Sequence, residues 1–215
     1  FNTGRMAAYL VLEREWPRVK PYTDLAYRDA IDNLETVIEP DGGTLEGPSY
    51  FSPIARENYT ALKYYARARG RDVSELVPDV LKRTSNYAAT VASTTTDDVI
   101  PICDSGASFR EDSLSILAEL MPQSHWVTML SKQRVREGKP ALEPGGPPLP
   151  ACVELPNTGY LASIRRLGDD LVKILIMGNK AGAGHTHEDK GSFVLEYAAE
   201  TFAADLGICD YSDPI

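Results

Sequence analysis

Between residues 137 and 150 the chain reads Glu-Gly-Lys-Pro-Ala-Leu-Glu-Pro-Gly-Gly-Pro-Pro-Leu-Pro, with five prolines and three glycines. Proline fixes φ and lacks the amide donor that a helix interior or a central strand requires, so this stretch is neither. The hydrophobic pattern changes across it. Upstream, apolar residues recur at three- and four-residue spacing in Met6 to Trp16 and in Asp24 to Ile38, runs that Pro17 and Pro40 terminate. Thr23-Asp24 is the expected N-cap of the second run. A third helix is expected from Ser49 or Ser52 to Gly70, and a fourth from Val73 to Ala92 with Pro78 near its first turn. Arg110 to Met121 and His125 to Arg136 complete the set. Helices of this length joined by short polar turns pair as antiparallel hairpins in a bundle, ring or solenoid.

Downstream the period falls to two. Tyr160 to Arg166 and Leu171 to Met177 flank a Gly168-Asp169-Asp170 turn, and Phe193 to Tyr197 with Thr201 to Asp205 form a second hairpin. These segments predict an antiparallel sheet of sandwich type that runs on past Ile215. The expected organisation is a helical portion over 1–136, a linker over 137–156 and the start of a β-sandwich over 157–215. The chain opens on Phe1-Asn2-Thr3-Gly4 and closes on Asp213-Pro214-Ile215, and both ends read as cuts in a longer protein.

A net charge of −9 argues against a general nucleic-acid or anionic-membrane binder, although a groove on an acidic protein can still be locally basic. No apolar stretch approaches the ~20 residues that cross a bilayer. Cys103, Cys152 and Cys209 are too few and too far apart for a disulfide scaffold or a cysteine zinc knuckle.

Two motifs carry candidate chemistry. The run Gly184-His185-Thr186-His187-Glu188-Asp189 holds two of the chain's three histidines. In extended conformation His185, His187 and Asp189 share one face, and imidazole with carboxylate suits a zinc-type metal. A polar surface turn is the alternative. In Pro40-Asp41-Gly42-Gly43-Thr44-Leu45-Glu46-Gly47-Pro48-Ser49-Tyr50 two turns lead to Tyr50 at the mouth of the third helix. A phenol there (ordinary pKa ~10) serves as base or acid if positive charge or a metal lowers that value; a capping aromatic is the alternative. Cys103-Asp104-Ser105-Gly106-Ala107-Ser108 has no base near it in sequence to make a nucleophile, and Asp-Ser-Gly is a common turn, so it reads as a loop ahead of the Arg110 helix that can line the cleft. Trp126, Tyr59, Tyr64 and Tyr65 suit sugar stacking, but aromatics at helical spacing more often build a core. Arg56 and Lys63 are basic residues able to meet an acidic ligand, and His125 reads as a helix-start residue.

The Asp41 to Tyr50 turn, the linker, the hairpins and His185-Thr186-His187-Glu188-Asp189-Lys190-Gly191-Ser192-Phe193 followed by Phe202-Ala203-Ala204-Asp205-Leu206-Gly207 together resemble the heparinase II/III family of polysaccharide lyases. The resemblance implies an incomplete α/α toroid of helical hairpins followed by an antiparallel β-sandwich. It implies β-elimination on a uronic-acid-containing polysaccharide, such as a glycosaminoglycan or alginate, in the bacterial periplasm or outside the cell. Tyr50 then corresponds to the base or acid and His185 to a cleft group that is catalytic or binds substrate. Glu46 falls with the substrate. His187 and Asp205 correspond to two ligands of a zinc whose further ligands lie outside this chain. The family's carboxylate-neutralising residue would precede Phe1, so this chain alone is expected to hold an incomplete site. Tyr197-Ala198-Ala199-Glu200-Thr201 stands where the family has a glycine-containing turn. Two other classes compete. A toroid-plus-sandwich protein could bind sugar without cleaving it. A metal-dependent hydrolase could use His185, His187 and Asp189, a near match to the His-x-His-x-Asp-His pattern of the metallo-β-lactamase superfamily with Lys190 in place of the last histidine.

Overall fold

The computed structural model describes residues 2–95, 98–143, 145–179 and 189–205. Its helices are α1 (Asn2–Glu15), α2 (Lys20–Val37), α3 (Pro48–Ala68), α4 (Asp79–Lys82), α5 (Ser85–Val91), α6 (Glu111–Leu120) and α7 (His125–Arg136), with 3-10 turns at Pro17–Val19 and Val73–Glu75. α1, α2 and α3 pack on one another, and α6 and α7 form a hairpin that joins them through α3. Ala26 and Ala30 on α2 and Ala55 on α3 are buried, and their small side chains let the helices approach closely around Met6, Leu34 and Leu62.

Several helix boundaries differ from the sequence expectation. α2 begins at Lys20 because Pro21 preorganises its first turn, which places Thr23 and Asp24 inside the helix rather than at its cap. Asp24 instead binds Lys20 and the Tyr65 hydroxyl. α3 starts at Pro48 for the same reason, with Gly47 as cap. The helix expected over Val73 to Ala92 is broken into three pieces. Pro78 stands extended ahead of α4, and the Thr84 hydroxyl turns back to the Leu81 carbonyl at 2.8 Å while accepting the Trp126 indole N–H at 3.0 Å.

That indole is fully buried and sits at the centre of an aromatic cluster. Trp126 stacks on Phe51 at 5.4 Å, Phe51 meets Tyr87 edge-on, and Phe109 meets Trp126 edge-on. Trp126 and Tyr59 are therefore core residues and not sugar platforms. Tyr65 stacks on Tyr27, and Tyr64 is exposed. Arg56 and Lys63 pair with Asp112 and Glu119 and tie α3 to α6.

The β portion is one five-stranded antiparallel sheet in sequence order: β1 (Cys152–Leu155), β2 (Tyr160–Leu167), β3 (Asp170–Met177), β4 (Phe193–Tyr197) and β5 (Glu200–Ala203). β1 lies within the stretch expected to be linker, paired to β2 by the register Val153↔Ala162. The row Val153, Ala162, Leu175 and Val194 is buried on the helix-facing side, as period-two side chains require. Gly168 enters the β2–β3 turn at φ +64°, a conformation that a side chain disfavours. The β4–β5 turn does without glycine: Ala198 and Ala199 stand at φ +50° and +64°.

Polar clasps fasten sheet to helices. Lys173 and Glu196 are cross-strand neighbours, 1% and 3% exposed, on the helix-facing side. The Lys173 ammonium donates to the Ala89, Thr90 and Ala92 carbonyls at the end of α5. Glu196 accepts from the Ser93 hydroxyl at 2.6 Å and from the Thr94 amide and hydroxyl at 2.8 Å each. Asp41, in the turn ahead of α3, accepts from the Asn157 amide at 2.6 Å and the Thr158 hydroxyl at 2.7 Å in the β1–β2 turn.

Candidate functional site

The first turn of α3 carries Tyr50, and its neighbour Phe51 is anchored in the aromatic core, so the phenol is presented from a rigid base. Opposite lies the loop 102–105, which precedes α6. The Tyr50 hydroxyl donates to Asp104 Oδ2 at 3.1 Å, and the Ser49 amide donates to Ser105 Oγ at 2.7 Å. Gly47 makes this approach possible, because a Cβ there would lie 2.5 Å from Ser105 Cβ and 2.8 Å from the Ile102 carbonyl oxygen. Asp104 and Ser105 are both buried.

Burial pushes the Tyr50 phenol above its ordinary pKa, and the hydrogen bond to Asp104, the Asp104 charge and the Glu46 charge push it the same way. Sequence reasoning required positive charge or a metal to lower that value. The Asp104 and Glu46 carboxylates act on it in the opposite direction and favour the protonated phenol.

Cys103 joins this loop to the sheet. It is buried at φ +54°, with its Sγ 3.4 Å from the Tyr160 hydroxyl on β2 and 3.7 Å from the Asn179 amide nitrogen. Burial pushes the thiol up to about 11, and the Asp189 and Asp205 carboxylates add to that, so it is not a nucleophile at neutral pH.

No protein-family model and no curated protein sequence matches this chain. Solved structures do. A crystal structure of heparinase III matches over 97% of this chain and 34% of its own, with a TM-score of 0.73 at 17% identity. A heparan sulfate lyase HepC mutant from Pedobacter heparinus matches over 99% of this chain and 32% of its own, with a TM-score of 0.72 at 15% identity. The chain has the heparinase III fold. It spans about a third of the length of the structures it matches.

Within this heparinase III-like fold the sequence-derived site residues divide. Tyr50 and Glu46 come together at the entry to α3, close enough for the Glu46 charge to act on the phenol. Asp205 follows β5 and borders a cavity of about 200 Å³ with Ser93, Thr95, Glu196 and Thr201. The Asp189 carbonyl accepts from the Ser192 amide at 2.8 Å and closes the turn before β4, while its carboxylate acts on Cys103. His185 and His187 lie outside the described residues. Among the described residues no group of three or more His, Cys, Asp or Glu side chains is placed to hold a metal ion. His125 is buried at the start of α7, where burial lowers its pKa, and its backbone amide donates to Ser85 Oγ.

Sequence reasoning placed Asp104 in a loop able to line the cleft but gave it no partner. The Asp-Ser-Gly turn was visible, but its position opposite Tyr50, 54 residues away, depends on how α3 and α6 pack.

Proposed function

We propose that this chain is part of a polysaccharide lyase that cleaves a uronic-acid-containing polysaccharide by β-elimination, with Tyr50 as base or acid and His185 in the cleft. One observation carries the reading. In a heparinase III fold, a tyrosine hydroxyl on a rigid helix start is hydrogen-bonded to a buried carboxylate at 3.1 Å. The neighbours named as heparinase III and heparan sulfate lyase support an acidic polysaccharide, of glycosaminoglycan type, as substrate class.

β-Elimination removes the proton α to the uronate carboxylate and expels the glycosidic oxygen from the next carbon. It needs a base, an acid for the leaving oxygen and a group that neutralises the carboxylate. Tyr50 supplies proton transfer, and His185 supplies a second transfer group. Glu46, itself anionic, would meet sugar hydroxyls rather than the uronate. His187 and Asp205 would hold a zinc that is structural in this reading, and no step passes through it. Bound zinc should fall together with melting temperature in His187→Ala, and unchanged metal content would remove that residue from the ligand set. A periplasmic or secreted location fits a polymer too large to enter a cell.

The test is ultraviolet absorbance of the unsaturated uronate product, with the full-length protein offered heparin, heparan sulfate, chondroitin-like chains and alginate. The expected result is a rise on one polymer that Tyr50→Phe abolishes. No rise on any polymer, with binding retained, would replace the lyase reading by non-catalytic sugar binding.

A further inference from the structure

We propose that a groove across α1, α3 and α6, remote from Tyr50, is a second binding site for an acidic polysaccharide, held by Arg14, Arg67 and the Tyr64 ring. The proposal rests on the reading above for the chemical class of its ligand, and it adds a site that takes no part in cleavage.

Two cavities of about 630 and 620 Å³ meet at Tyr64 and Arg67, which line both. The first opens between α1 and α3 over Leu10, Val11 and Ala68. The second continues past Lys63 and Arg71 to Ile116 on α6. Packed helices stand about 8–10 Å apart, so the groove crosses on the order of 20 Å of surface. Tyr64 lies fourteen residues along α3 from Tyr50, about 21 Å at the helical rise, so groove and phenol are separate places on one helix.

Five of the lining side chains are cationic and two, Glu13 and Asp72, are carboxylates, on a chain whose net charge is −9. Three of the cations are answered: Arg69 by Glu13 and Asp24, Lys63 by Glu119, and Arg71 by Glu75. Asp72 accepts the Ser74 amide at 2.8 Å. Arg14 and Arg67 are exposed and, among the described residues, have no acidic partner. Each stands in the last turn of its helix, where the dipole favours a cation, but that does not explain why two helices turn their arginines into one groove. Tyr64 is 43% exposed and has no hydrogen-bond or ring partner among the described residues. A free ring beside two unpaired guanidinium groups suits a linear acidic sugar. The ring takes the C–H face of a pyranose, and each planar guanidinium fork takes carboxylate or sulfate oxygens. An acidic protein repels a polyanion in general, so a local surplus of positive charge decides where the two touch. A polymer held here offers its other units to the Tyr50 end of α3 at raised effective concentration.

The test is titration calorimetry of the full-length protein carrying Tyr50→Phe, which keeps the polymer intact, with heparin and with neutral dextran. Arg14→Gln combined with Arg67→Gln should raise the Kd for heparin roughly tenfold at low salt, the worth of two exposed ion pairs, and the difference should shrink as salt is added. Tyr64→Ala should raise it severalfold by an amount that salt does not change. Dextran should not distinguish the arginine variant from its parent. Arg165→Gln combined with Arg166→Gln removes the same charge from exposed positions on β2 and should leave the heparin Kd where it was. An equal loss in that control would reduce the effect to net charge and overturn the proposal. So would an unchanged Kd in the Arg14 and Arg67 variant. If melting temperature falls there while the Kd stays, a further segment of the protein covers the groove. The two readings fail separately. If the unsubstituted protein cleaves no polymer while the arginine pair governs heparin binding, the lyase reading falls and this site stands. If heparin is cleaved and the arginine pair is silent, this site falls alone.

Discussion

Replacing Lys173 by Met tests the clasp that fixes the sheet on the helices. The ammonium donates to the Ala89, Thr90 and Ala92 carbonyls, at 3.2 Å and 2.7 Å for the first two. Three acceptors match the three N–H donors of a charged lysine, and the carbonyls lie at the end of α5, where cations are favoured. Methionine fills much the same volume with no donor. It leaves the carbonyls facing an apolar chain. Leaving buried acceptors without a donor costs about 1–3 kcal/mol. Glu196 keeps its bonds to Ser93 and Thr94, which places the expected loss at about 2 kcal/mol. At about 2–4 °C per kcal/mol for a chain of this size, melting temperature should fall by roughly 6 °C.

The same lysine gives a pH signature. Burial is the main cause that pushes it down from its ordinary 10.5 to about 7, with Glu196 opposing and Lys132 adding. Between those two values the unfolded chain holds the proton and the folded chain has released it, so unfolding takes up a proton and stability rises with pH across that window. Below about pH 7 both states are protonated and the slope from this group vanishes. Urea unfolding of wild type and Lys173→Met from pH 6 to 10 measures both effects. A loss under about 1 kcal/mol, or a pH slope that survives the substitution, would refute the clasp.

Two further predictions concern neighbouring joints. Burial alone would raise the Asp41 carboxyl, but the Thr158 hydroxyl and the Thr158, Gly43 and Asn157 amides hold it below the usual carboxylate range. Its stabilisation is therefore present above the ordinary carboxylate range and is lost as pH falls through the depressed value; Asp41→Ala should cost about 1–3 kcal/mol at neutral pH and flatten the acid limb of a melting-temperature profile. Ala199→Gly should stabilise by about 1 kcal/mol, because glycine relieves the left-handed strain at φ +64° in the β4–β5 turn. An unchanged or lower midpoint in denaturant would contradict that turn geometry.

Elements set by short-range rules were legible in the sequence. The proline run 137–150 holds neither helix nor strand among its described residues, and the Gly168 hairpin and the five-residue β4 fall where period and turn chemistry place them. The antiparallel sheet follows from the same alternation, because adjacent side chains on a strand must face opposite sides. Tyr50 and Glu46 were legible as one turn because they are four residues apart and need no tertiary contact to be neighbours.

Tertiary packing decided the rest. The break between α4 and α5 depends on the Thr84 hydroxyl meeting an indole 42 residues away, and no propensity at Thr84 encodes that partner. A lysine in an alternating strand reads as solvent-facing until three helix-end carbonyls are set in front of it. β1 was hidden by the prolines beside it and exists because β2 offers an edge to pair with. Asp104 lay in an ordinary turn signature, and what makes it a neighbour of Tyr50 is the approach of two backbones at Gly47 and Ser105. Period and turn chemistry are properties of a few adjacent residues, so a chain displays them openly. The charge around a phenol is set by whichever groups the fold brings within a few ångströms, and only packing of the whole chain chooses them.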